Sequence, residues 1–465
     1  MMLMSIFLSL LGVLLLLALA VTAYSAVLAS LYPENLRTGE VTRITTADLW
    51  KLRVCRYRKP DCTGEPILFV HGLNANQNNF TNPAGGCLVD FFAARGYDCW
   101  TVDLRGTRSS QAPFGKTTRD ITVDDYVYHD VPAAIEHVCR ETGRDSLHYV
   151  GHSLGGFLLY AYSLTSGGRR IASGTTLGSP VSFEKALKLV PPPLRWLAVN
   201  LPWVGGELIR LAVPIARAMG ASIDVFPINQ ANLPFNMTNQ DLYTMLDDPS
   251  SGVHEQIFGW AERGEIAFKK GAFNFTEKLP ELDVPVLAVF GKSDPFIDAE
   301  EGAALFDQLQ CPDKKLLVLS RATGCVEDYN HCDLAFSREA EKEVFTPIAE
   351  WIAAHPCAMA PAEAAPAPEE TPKPAPKKRA AAPRKAAVKT ETKTAPAASK
   401  KSAAAKKPAA RKAAAKKAEP AVEEAPAAKA PAKRKAAPRK KAAAAPTAEA
   451  PFPAEAPETE TGENA

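Results

Sequence analysis

Residues 61–355 predict an α/β fold: a largely parallel sheet with helices on both faces. Short apolar runs at residues 66–71, 97–104, 147–151, 171–177, 284–290 and 315–320 have the length and boundaries of strands. They are mostly apolar rather than strictly alternating, which is the pattern of strands buried on both sides. Helical periodicity separates several of them, as at residues 127–140, so the connections read as helical crossovers. In such sheets reactive groups sit just beyond the carboxyl ends of the strands.

The chain of 465 residues opens on MMLMSIFLSLLGVLLLLALAVTAYSAVLASLY, residues 1–32, with no charged side chain before Glu34. At about 1.5 Å rise per residue this run exceeds the roughly 30 Å hydrocarbon thickness of a bilayer, whereas the apolar core of an export signal spans only about 7 to 15 residues. A membrane anchor is expected. The rival reading is a cleaved signal with Ala18-Leu19-Ala20 as its small-residue site, although no Lys or Arg precedes the run. Arg37, Arg43, Lys51, Arg53, Arg56, Arg58 and Lys59 follow it, which by the positive-inside tendency places the bulk of the protein in the cytoplasm.

Residues 40–357 then form the α/β domain. With 46% hydrophobic and 23% charged residues the chain can bury a sizeable core. Its nine cysteines are odd in number and lack CxxC spacing, so neither a zinc site nor a disulfide framework is indicated. A Cys311–Cys325 bridge is conceivable, but reduced core thiols are the favoured reading.

Four strand-type residues lead into Gly151-His152-Ser153-Leu154-Gly155, and an apolar helical run follows. A serine between strand and helix, flanked by glycines that remove obstructing Cβ atoms, has the form of a nucleophile elbow. Asp294 follows the strand VPVLAVF, and His331 lies between the last strand and the closing helix. The order Ser153, Asp294, His331 belongs to one hydrolase architecture and differs from those of chymotrypsin and subtilisin. The residue types suit acyl transfer. A hydroxyl needs an imidazole to accept its proton, and the imidazole needs a carboxylate to hold its tautomer. Asp298 is a nearby substitute for Asp294, and Asp294 before Pro295 also suits a turn. His148 and His152 read as structural. The Phe69-Val70-His71-Gly72-Leu73-Asn74 turn supplies backbone donors, so the oxyanion hole is expected from the N–H groups of Leu73 and Leu154.

HGLNANQNNF, GYDCWTVDLRG, DDYVYHDVPAAIEHVCRETGRDSLHYVGHSLGG, GKSDPF and YNHCDL together resemble the α/β-hydrolase family, and more narrowly its acid-lipase-like branch of gastric and lysosomal lipase type. The likeness spans residues 66–355. It implies the same triad, Ser153, Asp294 and His331, and the same oxyanion hole at Leu73 and Leu154. Those lipases typically carry Gln after the nucleophile where this chain has Leu154; the backbone donor is unaffected. Polyester synthases and depolymerases share similar features, but synthases usually have Cys at the nucleophile position.

Residues 182–279 are long enough to form a helical cap. The part from residue 193 to 219 is strongly apolar, with Leu194, Trp196, Leu197, Leu201, Trp203, Val204, Leu208, Ile209, Leu211 and Ile215. As a group these suit binding of an acyl chain, the alternative being that they only pack the cap onto the sheet, which is the favoured reading for any single Leu; Glu207, Arg210 and Arg217 would keep one helical face wet, with contact with a bilayer surface as a further role.

From residue 358 the composition turns to Ala, Pro and Lys. Between residues 371 and 441 there are 23 Lys and Arg against 4 Glu, so the net charge of +2 for the whole chain conceals an acidic remainder. This tail resembles those of linker histones and histone-like bacterial proteins. Dense like charge and few aromatics predict disorder, with nucleic acid or anionic lipid as partners and a free solvated tail as the alternative.

The resulting expectation is a membrane-anchored serine hydrolase acting on lipophilic carboxylic esters, with no metal or organic cofactor required. The competing expectation is a silent hydrolase-like scaffold that tethers a polyanion to a membrane.

Overall fold

The apolar-rich runs and two charge-interrupted strands before them meet in one eight-stranded sheet. The computed structural model describes residues 2–34, 39–81, 86–219, 227–234, 237–248, 250–311 and 313–359, with side-chain detail from residue 4 and excluding residues 202–209 and 305. The strands are β1 (Glu40–Thr45), β2 (Lys51–Tyr57), β3 (Pro66–Val70), β4 (Asp98–Asp103), β5 (Leu147–His152), β6 (Ile171–Leu177), β7 (Val286–Gly291) and β8 (Lys314–Leu319). Their order is β1-β2-β4-β3-β5-β6-β7-β8; β1 and β2 run antiparallel to their neighbours and the others are parallel. Every residue of β3, β4, β5 and β7 is buried; β3 and β7 are wholly apolar, whereas Asp98 and Asp103 of β4 are buried on Arg56 and Arg53.

Register lines up the strand ends that matter. Val70 pairs with Gly151, His152 with Leu177, Leu177 with Val289, and Gly291 with Leu319. The loops that leave β3, β5, β6, β7 and β8 therefore emerge along a single rim. The antiparallel edge escaped the sequence reading because Arg43, Lys51, Arg53 and Arg56 break up its apolar pattern. Arg53 is buried against Asp103 at 2.5 Å and Glu34 at 2.7 Å, while Arg56 pairs with Asp98 at 2.5 Å. Charge on an edge strand also discourages pairing with another chain.

In chain order the helices are α1 (Met2–Leu31), α2 (Leu88–Ala94), α3 (Val131–Thr142), α4 (Leu154–Ser166), α5 (Glu184–Leu189), α6 (Pro192–Asn200), α7 (Pro202–Ala218), α8 (Asn239–Thr244), α9 (Ser251–Arg263), α10 (Ala299–Asp307) and α11 (Thr346–Ala354). Helices α3, α4 and α10 pack one face of the sheet and α2 and α11 the other, giving two cores. The helix expected at residues 127–140 begins instead as a π-helical turn, Tyr126–Asp130. There Asp130 accepts the Arg105 guanidinium at 2.7 Å and the Arg105 N–H at 2.8 Å. Helices α5 to α9 form the insertion over the rim.

All nine cysteines carry free thiols, Cys311 and Cys325 among them. Arg37 and the basic tail lie outside the described residues.

Candidate active site

Strand β5 delivers its last residue, His152, to the rim, and α4 begins at Leu154, so the chain must reverse at Ser153. Ser153 does so at φ 54° and ψ −122°, a region costly for any residue with a side chain. Hydrogen bonds hold it there. Its N–H donates to the Leu177 carbonyl at 2.8 Å, and its own carbonyl accepts from Gly156 at 3.1 Å and Phe157 at 3.2 Å. The flanking glycines are obligatory for space: a Cβ on Gly151 would lie 2.5 Å from the Gly155 backbone, and one on Gly155 would lie 2.0 Å from the Val70 carbonyl oxygen. Removing those two atoms lets α4 approach the sheet closely enough to present the serine at its edge.

Asp294 follows β7 and is buried. Its Oδ1 accepts the N–H groups of Phe296 at 2.8 Å and Ile297 at 3.0 Å, which aims Oδ2 at His331 Nδ1, 2.7 Å away. Asp298, the alternative carboxylate, instead accepts the N–H groups of Glu300 and Glu301 at the start of α10. Its side chain is committed to capping.

His331 is fixed from three further directions. The ring of Phe296 stands edge-on at 5.2 Å, and the His331 N–H donates to Asn330 Oδ1 at 2.7 Å. The His331 carbonyl accepts His152 Nε2 at 3.0 Å. Burial, reinforced by the neighbouring His331, pushes the His152 imidazole down to about 3, so its ring is neutral and the proton sits on Nε2. Asn79 Nδ2 is then left to donate to its Nδ1 at 3.4 Å. Sequence gave His152 a structural role without a partner; its position inside the elbow was the available signal.

The loop after β3 passes directly beside the serine. A Cβ on Gly72 would come within 2.8 Å of Ser153 Cβ. His71 holds this loop: its Nε2 accepts the Leu104 N–H at 3.1 Å, which leaves Nδ1–H to donate to the Gly72 carbonyl at 2.8 Å. Burial lowers its pKa and keeps that neutral tautomer. On the far side the Asn74 carbonyl accepts the Asp247 N–H at 2.8 Å, tying the loop to the cap. Leu73 follows in the same turn. Leu154 is the first residue of α4, whose N–H has no acceptor within the helix.

Ser153, His331, Leu73 and Leu154 line one cavity of about 410 Å³. Its remaining wall is mostly apolar, built from Leu187 and Val190 near α5, Ile228, Leu242 of α8, and Ile257 and Phe258 of α9. This corrects the expectation for residues 193–219. Ala198 lines the cavity, but Leu194, Trp196, Leu201 and Ile215 do not line it and are exposed, and Leu211 packs beneath α1. Arg210 and Arg217 do not wet an outer face either. Arg210 is buried on Asp248, and Arg217 donates to the Met237 carbonyl at 3.0 Å. The side chains of Trp203, Val204, Glu207, Leu208 and Ile209 lie outside the described residues.

A parallel sheet whose serine elbow, carboxylate and histidine meet on one rim defines a class, and the match of residues 65–323 to the alpha/beta hydrolase fold model identifies it: the chain belongs to the α/β hydrolase fold family. Its relatives place it on the acid-lipase-like branch. Gastric triacylglycerol lipase of Homo sapiens is 26% identical over 365 residues, covering 68% of this chain and 87% of that protein. Lipase lipl-1 of Caenorhabditis elegans is 32% identical over 367 residues, covering 66% and 87%. Among solved structures, a thermophilic esterase from Thermogutta terrifontis superposes with a TM-score of 0.46 at 19% identity, covering 68% of this chain and all of that one.

Proposed function

We propose that this protein is a serine hydrolase that cleaves carboxylic esters of lipophilic acyl groups through an acyl-enzyme. The observation that carries the reading is the 2.7 Å hydrogen bond from His331 Nδ1 to Asp294 at a cavity also lined by Ser153. With Nδ1–H held by the carboxylate, Nε2 keeps its lone pair for a proton. Ser153 Oγ attacks the ester carbonyl as Nε2 accepts the hydroxyl proton, and the carbonyl π electrons move onto oxygen. The N–H groups of Leu73 and Leu154 stabilise that oxyanion, a contribution of about 3 kcal/mol per donor in enzymes of this kind. Collapse breaks the bond to the alkoxy group, which leaves as the alcohol with the proton from Nε2. Water then repeats the sequence on the acyl-serine and releases the acid. The apolar wall supports a lipophilic acyl group, and the relatives named as triacylglycerol lipases support a lipid ester.

A fluorophosphonate probe should label wild-type protein at Ser153 and leave Ser153→Ala unlabelled, with p-nitrophenyl ester turnover reduced by about 10³-fold or more. Labelling that persists in the variant, or no ester turned over at any chain length, would overturn the reading. The latter result would favour the rival, a silent scaffold that holds a polyanion through its basic tail.

The apolar α1 supports anchoring, and the basic residues after it support a cytoplasmic catalytic domain and tail. Lys and Arg spaced along the tail support nucleic acid or anionic lipid as its partner.

A further inference from the structure

The cap lines the Ser153 cavity with proline, aliphatic and aromatic side chains, with one exception. Among the described cap residues in that wall, His254 alone is polar. A polar atom facing an apolar cavity is matched either by the protein or by what enters the cavity.

The protein matches only half of this side chain. His254 lies near the start of α9 with 7% of its surface exposed. Its backbone N–H and its Nδ1–H both donate to the Ser250 carbonyl, at 3.1 and 3.2 Å. The Phe258 ring, one helical turn on, flanks the imidazole at 5.7 Å. A carbonyl only accepts, so Nδ1 carries the hydrogen and Nε2 of the neutral ring carries a lone pair. Burial lowers the pKa to about 4 and keeps the ring in that neutral form. Nε2 lies across the ring from the anchored Nδ1 and has no hydrogen-bond partner among the described residues.

Helix α9 holds this acceptor in a fixed place. A Cβ on Gly252 would strike the Ile121 carbonyl oxygen, so the helix rests directly on that backbone, and Gln256 Oε1 accepts the Val123 N–H at 2.8 Å. The segment leading into α9 is stitched to the loop beside Ser153: Leu246 bridges Ala75, and the Asp247 N–H donates to the Asn74 carbonyl. A buried group anchored on both sides is pre-organised for a ligand.

We infer that His254 Nε2 accepts a hydrogen bond from a hydroxyl of the substrate, and that the preferred ester carries a free hydroxyl on its alcohol part or its acyl part. The inference rests on the ester-hydrolase reading and narrows its substrate. Nε2 accepts and cannot donate, so its partner is a donor. The apolar wall disfavours an ammonium group there, and the neutral donor that a lipid ester carries is a hydroxyl. A fully esterified glycerol has none and leaves the acceptor bare. Such a site discriminates against the analogue without the hydroxyl more strongly than an apolar pocket discriminates one methylene.

Four esters of one acyl length test it in the full chain solubilised in nonionic detergent: monodecanoylglycerol and its di-O-methyl ether, and methyl 10-hydroxydecanoate and methyl decanoate. The ratio of kcat/KM within each pair is measured on one protein sample, so the fraction of active enzyme cancels. Wild-type protein should favour the hydroxyl-bearing ester at least tenfold in one pair, the glycerol pair for a hydroxyl on the alcohol and the decanoate pair for one on the acyl chain. His254→Phe should bring that ratio to within twofold of unity, and His254→Leu serves in its place should the bulkier ring prevent folding. His254→Gln, whose amide oxygen can accept a hydrogen bond, should recover part of the preference. Ratios near unity for both pairs in wild-type protein, or a preference that His254→Phe or His254→Leu retains, would overturn the inference and leave the hydrolase reading standing. Wild-type protein inactive on all four esters would sink that reading and this inference with it.

Discussion

At the scale of single residues, the site is built by atoms that are missing as much as by those present. Gly178 follows β6 at φ +55°, and a Cβ there would lie 3.1 Å from His331 Nδ1 and 3.2 Å from Asp294 Oδ2. Both the backbone angle and the contact resist a side chain. Gly178→Ala should therefore push the imidazole off its carboxylate, lowering kcat about tenfold or more while KM stays within twofold in steady-state ester hydrolysis. A KM-only change would argue that Gly178 merely packs the cavity. Ser153, Asp294 and His331 were each legible because chain order and strand ends mark them. Gly178 was not, and for His71 and His152 only the place and structural character were legible, since each acts on a partner distant in sequence: His71 on Leu104, His152 on His331, and Gly178 on the bond between Asp294 and His331.

Elements carry a different lesson. Helix α9 puts His254 into the cavity wall, with Nδ1 donating to the Ser250 carbonyl at 3.2 Å. Burial pushes the imidazole down to about 4, with the Ser250 carbonyl opposing that shift. Its ordinary value is about 6.5, so between pH 6.5 and 4 the unfolded chain binds a proton that the folded chain refuses. Stability from this group is complete above pH 6.5 and falls by about 1.4 kcal/mol per pH unit below it. Urea denaturation at pH 7.0 and 5.0 should show wild-type protein losing about 2 kcal/mol more than His254→Gln across that interval. The carboxyls of Asp247 and Asp333, which burial pushes up to about 6, titrate in both proteins and cancel in this comparison. Equal losses would mean that His254 is protonated in the fold. The cap also shows where sequence misleads. Apolar density in α6 and α7 identified a lipophilic region, but periodicity does not say which of two apolar sides meets the cavity.

On the scale of the molecule, the α/β domain closes on its own last residues. The Cys357 N–H donates to Glu65 at 2.8 Å, the Ala358 N–H to Ser146 at 2.8 Å, and the Ala358 carbonyl accepts the Asp145 N–H at 3.0 Å. These bonds tie the chain end beneath the sheet, opposite the rim that bears Ser153. A chain stopped after Met359 should keep ester turnover within twofold and the wild-type Tm, while losing salt-sensitive retention on DNA if the tail binds polyanions. One stopped after His355 forfeits the three bonds, worth about 1 kcal/mol each, and should melt at least about 4 °C lower by calorimetry. Identical melting of the two truncations would show that this seam contributes nothing.

The sequence by itself determined the α/β class, the strand-to-helix turn at Ser153, the order of the three reactive residues and the abrupt change of composition at the tail. Those are properties of neighbours along the chain: uninterrupted apolar runs, glycines beside a serine, and charge density. Tertiary structure decided which side of the cap meets the cavity, that Asp294 rather than Asp298 reaches His331, and that α1 rests on α7 and α8. Those outcomes depend on strand register and on which surfaces cover one another, and neither is written in the local pattern of residues.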